Sequence, residues 1–278
     1  MTTLGLVNLL VLVIGLGSIV ITQAPSFEVA SIKVNKIGNE QSAPQNPQPG
    51  GRVTLTNRTL RWLVQFAYST FESSLHDLQI TGGPDWADTD RFDITAKMPG
   101  NPAPGAETAN LARLMLRALL IERFQLKVRM ESRELPVYAL VQARPDGRPG
   151  PGLRLRADRC EGVVRPRLPE FKEPDLKGDT PLCGLLRGGR GTLNYRGVSI
   201  SSLLRPSALG GLDRIVIDQT SLQGLFDIDL TWAVDAGASA DAPSIFTAVQ
   251  EQLGLRLQPT RTPLQVLVID DAQRPLPD

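Results

Sequence analysis

The tightest constraint on this chain's fold is that its second half restates the hydrophobic pattern of its first. At a constant spacing of 140 residues, Val53 pairs with Leu193, Leu55 with Tyr195, Thr59 with Ser199, Leu60 with Ile200, Leu63 with Leu203 and Val64 with Leu204. Further on, Phe92-Asp93-Ile94 matches Phe226-Asp227-Ile228, and Phe124, Leu126, Val128 and Val137 match Leu253, Leu255, Leu257 and Val266. The spacing falls from 140 to 134 to 129, so length changes sit between the matched segments while the apolar pattern is kept. The fold class expected from this is α+β. Two similar βαββαββ units are expected, each a small mixed or antiparallel sheet with two helices on one face, following an N-terminal apolar helix.

The periods assign the elements. Residues 27–34 alternate loosely as a half-buried strand, and 38–51, rich in Asn, Gln, Pro and Gly, read as a surface loop. Residues 52–56 read as a strand. From Thr59, a candidate cap, apolar residues at Leu60, Leu63, Val64, Ala67 and Tyr68 describe one helix face. Strands at 78–81 and 91–96 bracket the turn Gly82-Gly83-Pro84. The longest helix spans Glu107 to Arg123 with Leu111, Leu114, Met115, Ala118 and Leu119 inward, and two strands, 124–130 and 135–142, close the unit. The same order returns as strand 191–195, a helix opening at 199–204, strands 214–217 and 224–232, helix 243–253, and a strand pair ending at Asp270. The expected divisions are 1–25, a signal peptide or membrane anchor; 26–143, the first unit; 144–190, a Pro-, Gly- and Arg-rich linker; and 191–278, the second unit.

Leu4 to Ile21 carries no charge and is apolar on every face, long enough to enter a bilayer as a helix. The expected location is therefore extracytoplasmic, periplasmic or secreted. No Lys or Arg precedes Lys33, and Pro25 follows the Thr22-Gln23-Ala24 cleavage site, so anchoring to the inner membrane by residues 4–21 is the alternative to cleavage. Cys160 and Cys183 are the only cysteines; in an oxidising compartment two such loop cysteines are expected to pair. The 30 basic and 29 acidic residues nearly cancel, which argues against a nucleic-acid partner.

Several segments resemble a known group, the soil-associated family of exported bacterial proteins abundant in acidobacteria, carried as a domain of unknown function. They are residues 26–33 (Ser-Phe-Glu-Val-Ala-Ser-Ile-Lys), Thr56-Asn57-Arg58-Thr59-Leu60, Ile80 to Trp86, Asp90 to Ile94, Glu134 to Val141, and Phe246 to Leu255. The resemblance implies an extracytoplasmic location and brings no catalytic residues with it. Some members of that group are joined to membrane metallopeptidase modules of the antibiotic-sensor type, which implies a sensing or partner role. This chain has no His-Glu-x-x-His segment and cannot itself be that protease.

The residues offer little chemistry of their own. His76, the only histidine, lacks a Gly-x-Ser-x-Gly or Ser-x-x-Lys companion and reads as a solvated loop residue. Asp85, Asp88, Asp90 and Asp93 lack the glycine and final glutamate of a calcium loop. Asp93 and Asp227, at matched positions, are expected to face solvent or pair with an Arg. Gly188-Gly189-Arg190-Gly191 lacks the Lys-Ser or Lys-Thr of a phosphate cradle. Arg154, Arg156, Arg159, Arg165 and Arg167 form a basic linker diluted by Asp158, Glu161 and Glu170. Trp86, Asp85 and Arg91 are the candidates for lining a ligand groove, with Trp86 more readily explained as a packing anchor. No catalytic residue, cofactor or metal site is expected. The function expected is a non-enzymatic cell-envelope module that binds a protein, peptide or glycan. Two alternatives are a secreted hydrolase with carboxylates converging in space, and an extracytoplasmic sensor domain acting with a membrane metallopeptidase.

Overall fold

The computed structural model describes residues 24–36, 47–70, 74–103, 105–156, 183–206, 208–210, 212–234 and 242–276. The expected apolar helix at 4–21, Cys160 and most of the loop at 38–51 lie outside these residues. No helix among the described residues is long and apolar enough to cross a membrane.

The fold is α+β. Strand β1 (Val29–Val34) and strand β2 (Arg52–Thr59) both pair antiparallel with β4 (Arg91–Lys97), giving a three-stranded sheet of order β1-β4-β2. Helix α1 (Leu60–Tyr68) follows β2 directly, and Thr59 caps it as expected, accepting a 3.2 Å hydrogen bond from the Trp62 N–H. Helix α2 spans Ala106–Arg123. A second sheet has the order β6-β10-β8-β7, built from β6 (Leu153–Leu155), β7 (Leu185–Gly189), β8 (Thr192–Val198) and β10 (Phe226–Thr231). Helix α3 (Ile245–Leu253) starts at a Ser244 cap and ends at Gly254, whose φ of +69° is the left-handed turn that glycine supplies most readily.

The third sheet joins everything. Strands β5 (Lys127–Gln142) and β11 (Leu255–Asp271) run antiparallel along nearly their whole length, with β3 (Ile80–Gly82) parallel to β11 and β9 (Ile215–Asp218) parallel to β5. The structure thus fuses 124–130 with 135–142, expected as two strands, into the single strand β5, and β11 likewise replaces two. The physical reason is local: Glu131-Ser132-Arg133-Glu134 is polar but contains no Gly, Asn or Pro to reverse the chain. The spacing of 129 that relates Val137 to Val266 also relates Glu134 to Pro263, the residues paired across the ladder.

Because the long strands continue straight, each serves two hydrophobic cores. The first core collects Ile32, Leu55, Leu63, Phe92, Leu116 and Phe124, and it is completed by Leu267, Ile269 and Ala272 from the far end of the chain. The second collects Leu153, Tyr195, Leu203, Ile228, Val249 and Leu255, and it is completed by Tyr138 and Leu140 of β5. The expected boundary at 143 therefore does not follow the packing. Nor are residues 144–190 wholly irregular: β6 adds to β10 and β7 to β8.

Two further expectations are corrected. In α2 the buried residues are Ala109, Ala112, Met115, Leu116, Leu119 and Leu120, while Leu111 and Leu114 are exposed and Ala118 is half-buried. The helix is apolar on two adjoining faces, so its period did not say which one the core takes. The helix expected at 199–204 is a short 3₁₀ segment, Ile200–Leu204. Pro206 disfavours helical torsions at Arg205, which is extended (φ −63°, ψ 137°).

Candidate functional site

Of the groove candidates, Asp85 and Trp86 share one turn, and Arg91 lies at the start of β4. Trp86 sits in a 3₁₀ turn (Asp85–Ala87) after Gly82-Gly83-Pro84 and packs on the first core. Its ring centre is 6.2 Å from that of Phe92 and 6.5 Å from that of Phe124, and the Arg274 guanidinium lies 5.1 Å above it. Arg274 also donates to Asp90 at 2.7 Å, so the C-terminal tail closes over the ring. Asp85 is exposed at the start of the turn. Arg91 is exposed on β4 and donates to the carbonyl of Asn57 at 3.2 Å.

Three members of the acidic cluster, Asp88, Asp90 and Asp93, each answer a different protein group. Arg61 of α1 forms a forked pair with Asp88, one arm at 2.9 Å, and its remaining N–H groups reach the carbonyls of Ile80 and Gly82. That hydrogen bonding holds the Asp88 carboxyl below the usual carboxylate range. Asp93 accepts from the Asn35 amide and from the Asn57 backbone N–H at 2.8 Å. Among the described residues, no group of three acidic, histidine or cysteine side chains could hold a metal.

His76 is a turn cap rather than a solvated loop residue. Its Nδ1 accepts from the Leu78 N–H at 3.2 Å, while the Gln79 side-chain oxygen accepts from the His76 N–H at 3.0 Å. Burial pushes its pKa below the ordinary histidine value, with Asp77 opposing the shift. Acceptance at Nδ1 requires a neutral ring protonated on Nε2.

Asp227 pairs with an arginine as expected, Arg156 at 3.3 Å, and also accepts from the Gly197 backbone N–H at 2.9 Å. Asp229 is clamped by Arg154 at 2.5 Å and Arg196 at 2.8 Å. Burial would raise the Asp229 pKa, but these two guanidinium groups outweigh it and hold the carboxyl low. Gly188 and Gly189 lie in β7, and Gly191 begins the return into β8.

One shallow cleft of roughly 200 Å³ opens between Ser26–Ala30 and the Met115–Arg123 part of α2. Its two carboxylates, Glu28 and Glu122, are both exposed. Among the described residues no Asp or Glu is fully buried.

A different surface, one the sequence reading did not single out, combines aromatic and cationic groups. Trp62 and Phe66, one helical turn apart on α1, stack with ring centres 5.1 Å apart and planes 10° apart. The Arg58 guanidinium lies 4.1 Å from the Trp62 ring centre, and Arg113 of α2 lies 4.8 Å from that of Phe66. Beside this ladder, Arg117 covers Tyr68 at 4.5 Å and donates to the Ala67 carbonyl. The sequence signal was present as Arg58, Trp62 and Phe66 at four-residue spacing, but Arg113 arrives only through the packing of α2 on α1.

No curated protein and no solved structure matches the chain. The model of the family described as "Protein of unknown function (DUF3738)" matches residues 61–272, and the chain belongs to that family.

Proposed function

We propose that this protein is an exported, soil-associated cell-envelope protein acting as a non-enzymatic binding or interaction module. The observation that carries the reading is the half-buried arginine–aromatic ladder across α1 and α2. Trp, Tyr and Arg dominate the energetics of protein recognition surfaces, because they offer large rigid area with a polar or charged edge. The uncharged stretch from Leu4 to Ile21 supports export, with the chain either released or held at the inner membrane. An oxidising destination also suits pairing of Cys160 with Cys183.

The test is fractionation of cells making the full chain, followed by cross-linking and identification of what is held. An envelope partner that re-binds the purified protein supports the reading. Retention in the cytoplasm, or turnover of an envelope polymer by the purified protein, overturns it.

A further inference from the structure

We propose that the Arg58–Trp62–Phe66–Arg113 ladder, with Arg91 beside it, is the docking surface for an acidic segment of a protein partner. The inference rests on the binding-module reading and names its surface and the chemistry of its partner.

The case starts from an uncompensated cost. Arg58 is the penultimate residue of β2, and the last, Thr59, lies opposite Arg91 in the β2–β4 ladder, so Arg58 and Arg91 stand at the same end of the sheet. Burial and the adjacent Arg91 hold Arg58 below the usual arginine range. Among the described residues neither Arg58 nor Arg91 has a carboxylate partner. Arg91 donates to the Asn57 carbonyl, and the buried Nε of Arg58 has no acceptor. Elsewhere in this chain arginines in comparable settings are answered: Arg61 by Asp88, Arg156 by Asp227, and Arg154 and Arg196 by Asp229. A cation pair left unanswered at an exposed rim is balanced when a partner supplies the anion.

The surroundings fit an acidic segment. Helix α1, Leu-Arg-Trp-Leu-Val-Gln-Phe-Ala-Tyr, contains no acidic residue. The α2 side chains that cover its aromatics are Arg113 and Arg117. Stacking on Trp62 fixes the plane of the Arg58 guanidinium, whose terminal N–H groups can meet a carboxylate in the forked geometry that arginine favours. Arg58 and Phe66 both lie against the Trp62 ring, so a sugar finds little bare ring to stack on, which favours a peptide over a glycan.

The test uses a fluorescein-labelled decapeptide of alternating glutamate and serine, titrated into the full-length protein at low salt and followed by anisotropy. Saturable binding is expected, weakened about tenfold in Arg58→Gln and in Arg91→Gln and unchanged in Arg256→Gln, an exposed arginine on β11. Arg91→Gln changes an exposed side chain, and equal melting transitions will show that the fold is kept. Absence of saturable binding, or Arg91→Gln binding as well as the parent, overturns the proposal. A sulfated glycan bound more tightly with the same arginine dependence overturns the choice of a protein partner. If an envelope partner identified by cross-linking binds Arg58→Gln and Arg91→Gln undiminished, this surface fails while the binding-module reading stands.

Discussion

The carboxylate of Asp93 accepts a 2.8 Å hydrogen bond from the backbone N–H of Asn57, a residue held at φ +58° where the β2–β4 register slips. Asp227 does the same at 2.9 Å for Gly197, at φ +59°, beside the irregularity in β8 and β10. A residue in the left-handed region turns its N–H out of the ladder, and a half-buried N–H needs an acceptor. The aspartate at the centre of each Phe-Asp-Ile triplet supplies it. Asp93→Ala and Asp227→Ala should each destabilise the protein by about 1–3 kcal/mol, measured by urea unfolding. A change below about 0.5 kcal/mol in both would show that these bonds are incidental.

Gly82 lies at φ +73°, and a Cβ there would come within 2.5 Å of the Ile269 carbonyl oxygen. Gly100, at φ +66°, has open space around it. Both substitutions to alanine carry the torsional cost of about 1 kcal/mol, but Gly82→Ala must also push β3 away from β11. Its loss of stability should be clearly the larger in side-by-side thermal melts.

The cap made by His76 gives a pH dependence with a definite sign. Its folded pKa lies below the ordinary histidine value, so the unfolded chain binds the proton more readily. The contribution is present above the unfolded value of about 6.5 and is lost as pH falls through the lower folded value. His76→Gln should flatten stability against pH across that window, followed by urea midpoints at fixed ionic strength; an unchanged curve would remove His76 as the cause.

Residues 24–143 expressed alone should not fold cooperatively, although they contain α1, α2 and the first sheet. The missing Leu267 and Ile269 of β11, with Ala272 just after it, fill the first core, and Tyr138 and Leu140 would be left without theirs. Leu267→Ala in the full chain should cost about 2–5 kcal/mol and raise hydrogen exchange in α1 and α2, both far away in sequence. A sharp melting transition for the fragment would refute this dependence.

Cys183 is 5% exposed. Non-reducing peptide mapping of protein recovered from an oxidising compartment should find it joined to Cys160, and Cys160→Ser should lower stability by roughly 3 kcal/mol for a loop of this size. Two free thiols in that map would remove the expectation.

The sequence by itself determined the local elements, because periodicity and capping act over a few residues. Alternation marked β1, and Thr59 marked where α1 begins. It also set Asp93 and Asp227 at matched positions, since each follows a matched phenylalanine. It did not disclose their task, which depends on left-handed residues in a neighbouring strand 30 or more positions away. Tertiary structure alone decided which face of α2 is buried, since two apolar faces satisfy the same period and only packing selects between them. It alone decided that β5 and β11 run straight through and share their ends between two cores, because strand pairing is non-local and carries no mark in either strand separately. The arginine–aromatic ladder belongs to both accounts: the four-residue spacing of Arg58, Trp62 and Phe66 is written across the end of β2 and α1, while the docking of α2 brings Arg113 to its end.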